Sequence, residues 1–529
     1  MVFGEAPKTT REARVLPNPK SPMIAWTIYV TFGGSLLLLF LPHVLARWMA
    51  LLTTLAGFAI SLQAFFESST HGTFKTIVRL PWIQGLGFEY HLAVDGISLT
   101  MCLVTGLTAV SAVLFSWDVE ERPNEFFFWL LLVVGGSYGV FLSADLFLLF
   151  VFYELVIVPK YFLIAIWGST NKEYGAMKLT LYSFFGGALA LIGIIAIYVA
   201  AGAHTLDLKE LAQFQFPLQF QNWVFPILFL GFAVLAGIWP LHTWAPTGHV
   251  AAPTAGSMLL AGIVMKLGAY AALRVAMNLL PLGFQAWSKW IAVLGVIGIV
   301  YAAGVALRQR DLKFVIGYSS VSHMGFVLLG LATVNALGVS GAVLQMFSHG
   351  VIAALLFAVA GRMIYRRTDT RELDALSAMN LSRALPFAAF SFVIASAASM
   401  GIPGFSGFAA EITILLGAWK SYPLAVLITG AGMVLVAAFT LRALKKTFFG
   451  EVTAGGSPAP SGDADKFSAS PSLSTSSAER SIHQDFAPIS TAEKWGAALL
   501  MAATLAAGVY PKFLLDRILP AVEAMRFLK

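Results

Sequence analysis

Apolar runs of roughly 18 or more residues recur along almost the whole chain, and this recurrence limits the fold more than any other feature. At 1.5 Å rise per residue, about 20 apolar residues cross a ~30 Å hydrocarbon core. Such runs begin near Met23, Trp48, Gly96, Phe126, Asp145, Ala176, Trp223, Ala251, Trp287, Leu312, Gly338, Pro386, Tyr422 and Ala492, which predicts about fourteen transmembrane helices. No alternating ten-residue strand pattern competes with them. Lipid leaves no water to satisfy backbone groups, so helices rather than a barrel are expected, and the fold class is all-α and polytopic. Composition agrees, with 58% hydrophobic and 12% charged residues and a mean hydropathy of +0.79. A soluble core of this length would carry about twice that charge.

The formal charge of +7 raises the question of nucleic acid, which the positions of the basic residues answer. Arg308, Arg310 and Lys313 share one predicted loop, Arg362, Arg366, Arg367 and Arg371 another, Lys172 and Lys178 a third, and Arg442, Lys445 and Lys446 follow a later run. Basic residues clustered between spans mark the cytoplasmic side of a membrane and exclude a nucleic-acid groove. All four clusters follow odd-numbered spans, so odd spans end in the cytoplasm and both termini are expected on the periplasmic face of a bacterial inner membrane. The basic residues of the first 22 positions, Lys8, Arg11, Arg14 and Lys20, argue the other way. The single cysteine, Cys102, lies inside an apolar run. No disulfide framework and no cysteine-ligated metal or iron–sulfur site can be built from one thiol.

Two predicted spans are broken. The seventh runs into GIWPLHTWAPTGHVAAPTAG, with Pro240, Pro246, Gly248 and Pro253, and the twelfth into SMGIPGFSGFAAEITILL, with Gly401, Pro403, Gly404 and Gly407. They stand five spans apart. Broken helices at corresponding positions of two halves are the sequence sign of an inverted-repeat transporter, here spans 4–8 against 9–13. The expected organisation is a polar tail at 1–22, spans 1–3 at 23–117, a first antiporter-like repeat at 126–276, a second at 287–449, a Ser-rich linker at 450–489 and a last span at 492–529.

Ionisable residues inside the spans are few: Glu154 and Lys160 in the fifth, Lys266 in the eighth, His323 and His349 in the tenth and eleventh, and Glu411 in the second half of the twelfth. A charge at a helix centre costs roughly 2.5–3.5 kcal/mol on insertion scales, so intramembrane ionisable residues mark ion paths or proton relays. The bland alternative, a hydrogen-bonded core residue, is stronger for either histidine alone than for Lys266 or Glu411. The expected site is therefore a proton relay of Glu154, Lys160, Lys266, His323, His349 and Glu411, with no metal ligands.

The stretches PLHTWAPTGHVAAPTAGSMLLAGIVMKLGAYAALR, LKFVIGYSSVSHMGFVLLG, LQMFSHGVIAALLF and IPGFSGFAAEITILLG resemble the M-subunit (chain 4) family of bacterial NADH:quinone oxidoreductase, respiratory complex I. The resemblance runs from about Asp95 to Gly450 and leaves out the tail and the linker. It implies an antiporter-like, proton-translocating membrane-arm subunit that works beside related antiporter-like subunits and has no cofactor of its own. NADH, FMN, iron–sulfur clusters and quinone would be bound by partner subunits. By motif, Glu154 matches the family's fifth-helix glutamate, Lys266 the eighth-helix lysine, Glu411 the twelfth-helix acid, and His323 and His349 the relay histidines. The chain departs from the pattern at four places. Tyr153 stands where many relatives have tryptophan, Leu235 where the family has the lysine paired with the fifth-helix glutamate, Thr247 where it tends to have aspartate, and Lys160 where it is apolar. The loss at 235 and the gain at 160 suggest a relocated lysine. Leu235 also keeps open a non-pumping structural subunit, and the same subunit type occurs in related cation antiporters, hydrogenases and carbon dioxide uptake complexes.

Overall fold

The computed structural model describes residues 23–67, 72–450 and 486–528. The polar tail and most of the Ser-rich linker expected at 450–489 lie outside the described residues. The helices used below are α1 (Met23–Leu38), α2 (His43–Glu67), α3 (Gly96–Leu114), α4 (Pro123–Leu142), α5 (Leu146–Trp167), α6 (Lys172–Ala200) and α7 (Leu218–Ala236). They continue with α8 (Trp244–Ala251), α9 (Thr254–Met277), α10 (Pro281–Arg308), α11 (Leu312–Ala332), α12 (Ala336–Thr368) and α13 (Pro386–Ser399). Last come α14 (Ser406–Ser421), α15 (Pro423–Phe448), α16 (Thr491–Val509) and α17 (Lys512–Glu523). Among the described residues eleven helices are long and apolar enough to cross a membrane, and α16 with α17, bent by 71°, makes a possible twelfth. The count of fourteen is therefore not established. The starts near Met23 and Pro386 open the shorter helices α1 and α13, because a Leu-Pro step ends the first and a glycine turn ends the second.

The fold is mostly helical as expected, and to it the structure adds a short hairpin between α2 and α3. Strand β1 (Lys75–Ile83) pairs antiparallel with β2 (Phe88–Val94), from Lys75↔Val94 to Ile83↔Phe88. Its segments KTIVRLPWI and FEYHLAV are rich in β-branched and aromatic residues, and Gly87 takes φ +69° at the turn. The hairpin lies on one face of the bundle. Arg79 pairs with Glu89 (2.6 Å) and Glu210 (2.7 Å), Tyr198 donates to the Leu86 carbonyl, and His91 bonds the Asp207 carboxylate. The basic residues Arg308, Arg362, Arg366, Arg367 and Arg371 gather at the opposite ends of the helices.

The inverted repeat appears as one motif built twice. Asp145 caps α5, accepting from Leu148 N–H, while Leu146 N–H donates to the Leu206 carbonyl and Leu208 N–H to the Ala144 carbonyl, both at 2.8 Å. Asp311 caps α11, accepting from Lys313 and Phe314 N–H, while Leu312 N–H donates to the Arg371 carbonyl and Leu373 N–H to the Arg310 carbonyl, again both at 2.8 Å. The first copy faces the hairpin and the second faces the arginines, as a pseudo-twofold axis in the membrane plane requires.

Both breaks fall where the sequence placed them. Gly237, at φ +81°, ends α7, and the Trp244 indole donates to the Val234 carbonyl across the turn into α8. Gly401 at φ +67° and Gly404 at φ +97° separate α13 from α14. A non-glycine residue held in this left-handed region costs roughly 1–2 kcal/mol, so glycine is the residue that lets the chain turn here. At the centre stand α9 and α12, whose apolar windows are wholly buried. A helix apolar all round belongs in a core. Both contain π-helical turns, Leu260–Val264 and Ala272–Met277 in α9 and Val359–Tyr365 in α12, a distortion common at functional sites.

Candidate functional site

Four of the six residues singled out in the sequence form one chain through the buried middle of the protein. Lys266, fully buried between the two π-turns of α9, donates from Nζ to the Ala261 carbonyl and lies 2.9 Å from His349 Nδ1 on α12. With Lys266 as an ammonium Nδ1 accepts. With Lys266 as an amine the imidazole N–H donates, so this one contact serves both sides of a proton transfer. The His349 and His323 rings stand 5.5 Å apart at 34°. His323 on α11 presents Nε2 to Ser399 Oγ (3.0 Å) and Nδ1 to Glu411 Oε1 (3.4 Å), with Gln345 Nε2 also 3.4 Å from Nδ1. Glu411, buried on α14, packs its second oxygen beside Gly401, where a Cβ would come within 2.7 Å of Oε2.

Glu154 and Lys160 do not join this chain, nor each other. No ion pair within 4.0 Å links them among the described residues. Glu154 Oε1 is buried without a hydrogen-bond partner and lies against Gly187 of α6, whose Cβ would fall 2.0 Å from it. Lys160 Nζ is also buried without a partner. It lines a cavity of about 10 Å³ formed with Val133 of α4 and with Gly256, Leu259, Leu260 and Val264 of α9. Pro159 lacks the N–H that would bond the Leu155 carbonyl, and α5 is interrupted at Val156, between the two charges. The interruption does not bring them together. Six residues at 100° each leave them about 120° apart around the helix. Leu235 is buried near the end of α7, where its backbone lies 3.1 Å from the position of a Cβ on Gly268 of α9. Thr247 accepts from Lys178 Nζ at 3.3 Å.

Two residues of this region were missed in the sequence. His249 on α8 is fully buried, its ring nitrogens have no hydrogen-bond partner, and it lies against Phe357 at 4.9 Å. Its signal was its place in the broken stretch WAPTGH. Lys313, assigned above to a basic loop, is instead buried in the first turn of α11 and donates from Nζ to the Ala252 carbonyl at 3.0 Å. Arg362 is likewise within α12, paired with Glu493 at 3.0 Å. A long side chain at a helix end folds inward when a carbonyl at a neighbouring break is free to accept.

Away from the centre, Glu89, His91 and Asp207 have ligand atoms within 4.8 Å of one another, the spacing of a metal site. Their bonds are satisfied internally. Asp207 accepts from His91 and from Lys209 and Glu210 N–H, Thr76 Oγ1 meets His91 Nε2 at 2.9 Å, and Glu89 pairs with Arg79. Burial raises the Asp207 pKa, but the bonds from His91 and the Glu210 N–H, with the nearby His91 and Arg79 charges, together outweigh it and hold the carboxyl below its ordinary range. Burial pushes neighbouring Asp145 up to about 6.

Comparison with known proteins gives this geometry a lineage. The family described as "NADH:quinone oxidoreductase/Mrp antiporter, TM" matches residues 143–437. NADH-quinone oxidoreductase subunit M of Rhodobacter capsulatus is 36% identical over 492 residues, 90% of each chain. NAD(P)H-quinone oxidoreductase chain 4 1 of Synechococcus elongatus is 39% identical over 413 residues, 76% of this chain and 77% of the relative. A chain of respiratory complex I from Thermus thermophilus with bound NADH superimposes with a TM-score of 0.83 at 27% identity, over 96% of this chain and 100% of that one. Two broken helices, a twice-built capping motif and a match that spans both repeats thus place this chain in the membrane-spanning NADH:quinone oxidoreductase/Mrp antiporter family.

Proposed function

We propose that this chain is a proton-translocating membrane-arm subunit of a bacterial complex I type NADH:quinone oxidoreductase, and that it moves protons through Lys266, His349, His323 and Glu411. The observation that carries this reading is the continuous line of ionisable side chains joining the two repeats across α9, α11, α12 and α14. A proton passes from the Lys266 ammonium to His349 Nδ1 by a direct hydrogen bond. From His349 the proton crosses to the neighbouring His323, whose ring centre lies 5.5 Å from that of His349. His323 then hands the proton to Glu411, whose carboxylate is nearest the glycine break. Ser399 and Gln345 hold the His323 ring, and so its direction of transfer.

This chain brings no redox group of its own. NADH, FMN, iron–sulfur clusters and quinone belong to partner subunits, and the chain responds to quinone reduction there by moving protons. Its other partners are the related antiporter-like subunits and the bilayer of the bacterial inner membrane. The arginine face is cytoplasmic by the positive-inside rule, and the hairpin and both termini are periplasmic. Glu154 and Lys160 form a separate, polarising part of the site in the first repeat.

Leu235 and the unpaired Glu154 favour a second reading, a structural subunit that does not pump. Glu411→Gln and Lys266→Ala separate the two. Each is expected to lower proton uptake by inside-out vesicles while the assembled complex stays on a native gel. Unchanged uptake in both assembled variants refutes pumping.

A further inference from the structure

One helical stripe of α9 carries Lys266, Tyr270 and Arg274 at spacings of four, leading from the relay toward the hairpin face. Arg274 lies about 12 Å along the axis from Lys266, by 1.5 Å per residue. It is buried in the second π-turn and donates from Nη2 to both oxygens of Asp95, at 2.8 and 2.7 Å. Asp95 directly follows β2 and caps α3, its Oδ1 accepting also from Ile97 and Ser98 N–H at 3.1 and 2.9 Å. Rings close over the pair. The guanidinium lies 4.4 Å from the centre of Phe74 and 5.4 Å from that of Tyr270. Tyr270 in turn donates to the Phe141 carbonyl at 2.8 Å and meets Ser98 Oγ at 3.0 Å.

The guanidinium neither takes up nor gives up a proton, and it is held in place by both Asp95 oxygens, one of which also caps α3. A fixed cation at the end of a low-dielectric polar stripe repels any further positive charge, as arginine does in pores that exclude protons.

We infer that the Arg274–Asp95 pair, covered by Phe74 and Tyr270, is an electrostatic stopper. It closes the straight way out along α9, so that a proton leaving Lys266 passes sideways to His349. The inference rests on the pumping reading, but its test does not use pumping. The purified complex is reconstituted into liposomes holding a pH-sensitive dye, and passive proton leak is driven by a potassium gradient with valinomycin, without NADH. The neutral pair Arg274→Gln with Asp95→Asn, which leaves no lone buried charge, is expected to raise the leak several-fold over the unaltered complex. Arg274→Lys, which keeps the charge, is expected to stay tight. An assembled double variant as tight as the unaltered complex overturns the inference. So does an assembled Arg274→Lys variant that leaks, and this second arm decides the matter if the double variant does not assemble. A leaky double variant together with unchanged uptake in Glu411→Gln and Lys266→Ala would remove the pump and keep the stopper.

Discussion

Replacing Gly401 by alanine tests the last step of the relay without touching a titratable group. The new Cβ would stand 2.7 Å from Glu411 Oε2, against an ordinary contact of 3.4 Å, so the carboxylate has to yield by about 0.7 Å. Any rotation that frees Oε2 also turns Oε1, which is already 3.4 Å from His323 Nδ1. Good N–H···O bonds end near 3.2 Å, so this link has no slack. Alanine at φ +67° adds a backbone cost of roughly 1–2 kcal/mol. Gly404→Ala supplies the control, because Gly404 has φ +97° but open space around its Cβ position. It carries the strain and leaves Glu411 alone. Misplacement of about 1 Å can cost a reacting pair on the order of a hundredfold. Gly401→Ala is therefore expected to lower proton uptake per NADH oxidised by roughly tenfold, while Gly404→Ala stays near the unaltered protein. The assay is dye quenching in inside-out vesicles, with NADH oxidation and native-gel assembly measured on the same membranes. Equal behaviour of the two assembled variants, whether both pump or both fail, refutes the argument from the carboxylate.

Lys160→Met is expected to abolish pumping, and Leu235→Lys added to it to restore part, if the lysine that the resemblance places at 235 has moved to 160; normal uptake by Lys160→Met removes the relocation. Deleting residues 455–485 is expected to leave assembly and uptake intact. The chain after this segment is held independently, with Arg367 donating to the Ala487 and Pro488 carbonyls and Glu493 to Ser490 completing a capping box. Loss of uptake in an assembled deletion variant would show that the segment docks on a partner.

What the sequence disclosed and what it hid follow from one difference. A charge in an apolar run is visible because its burial has a known cost, and Lys266, His323, His349 and Glu411 were found that way. Proline and glycine at membrane depth were visible for the same reason, since a freed backbone group must find a partner. The hairpin escaped because neither strand makes a ten-residue alternation of apolar and polar residues and only one of them is well buried. The span count slipped where a helix is short, as at α1 and α13. Lys313 was hidden because local composition does not say which way a long side chain turns at a helix end. The separation of Glu154 from Lys160 was written in their spacing of six, and the proline between them interrupts the helix without undoing it. The repeat of Asp145 with Leu206 and Asp311 with Arg371 needed coordinates, because it is a pairing of loops and leaves only DL and EL dipeptides in the sequence.

The two halves are not equally equipped. In the second repeat His323 and Glu411 each have a named partner, and their elements α11 and α14 pack beside the buried α12. In the first repeat Lys160 is buried and Glu154 half-buried, and neither Lys160 Nζ nor Glu154 Oε1 has a hydrogen-bond partner. Lys266 stands between the two arrangements, on α9, with His349 on one side and the Lys160 cavity against the π-turn that holds its Ala261 acceptor on the other. The relay therefore has paired members only from Lys266 onward, and Lys160→Met, rather than a change within the relay, is the variant that tests whether the first repeat contributes to it.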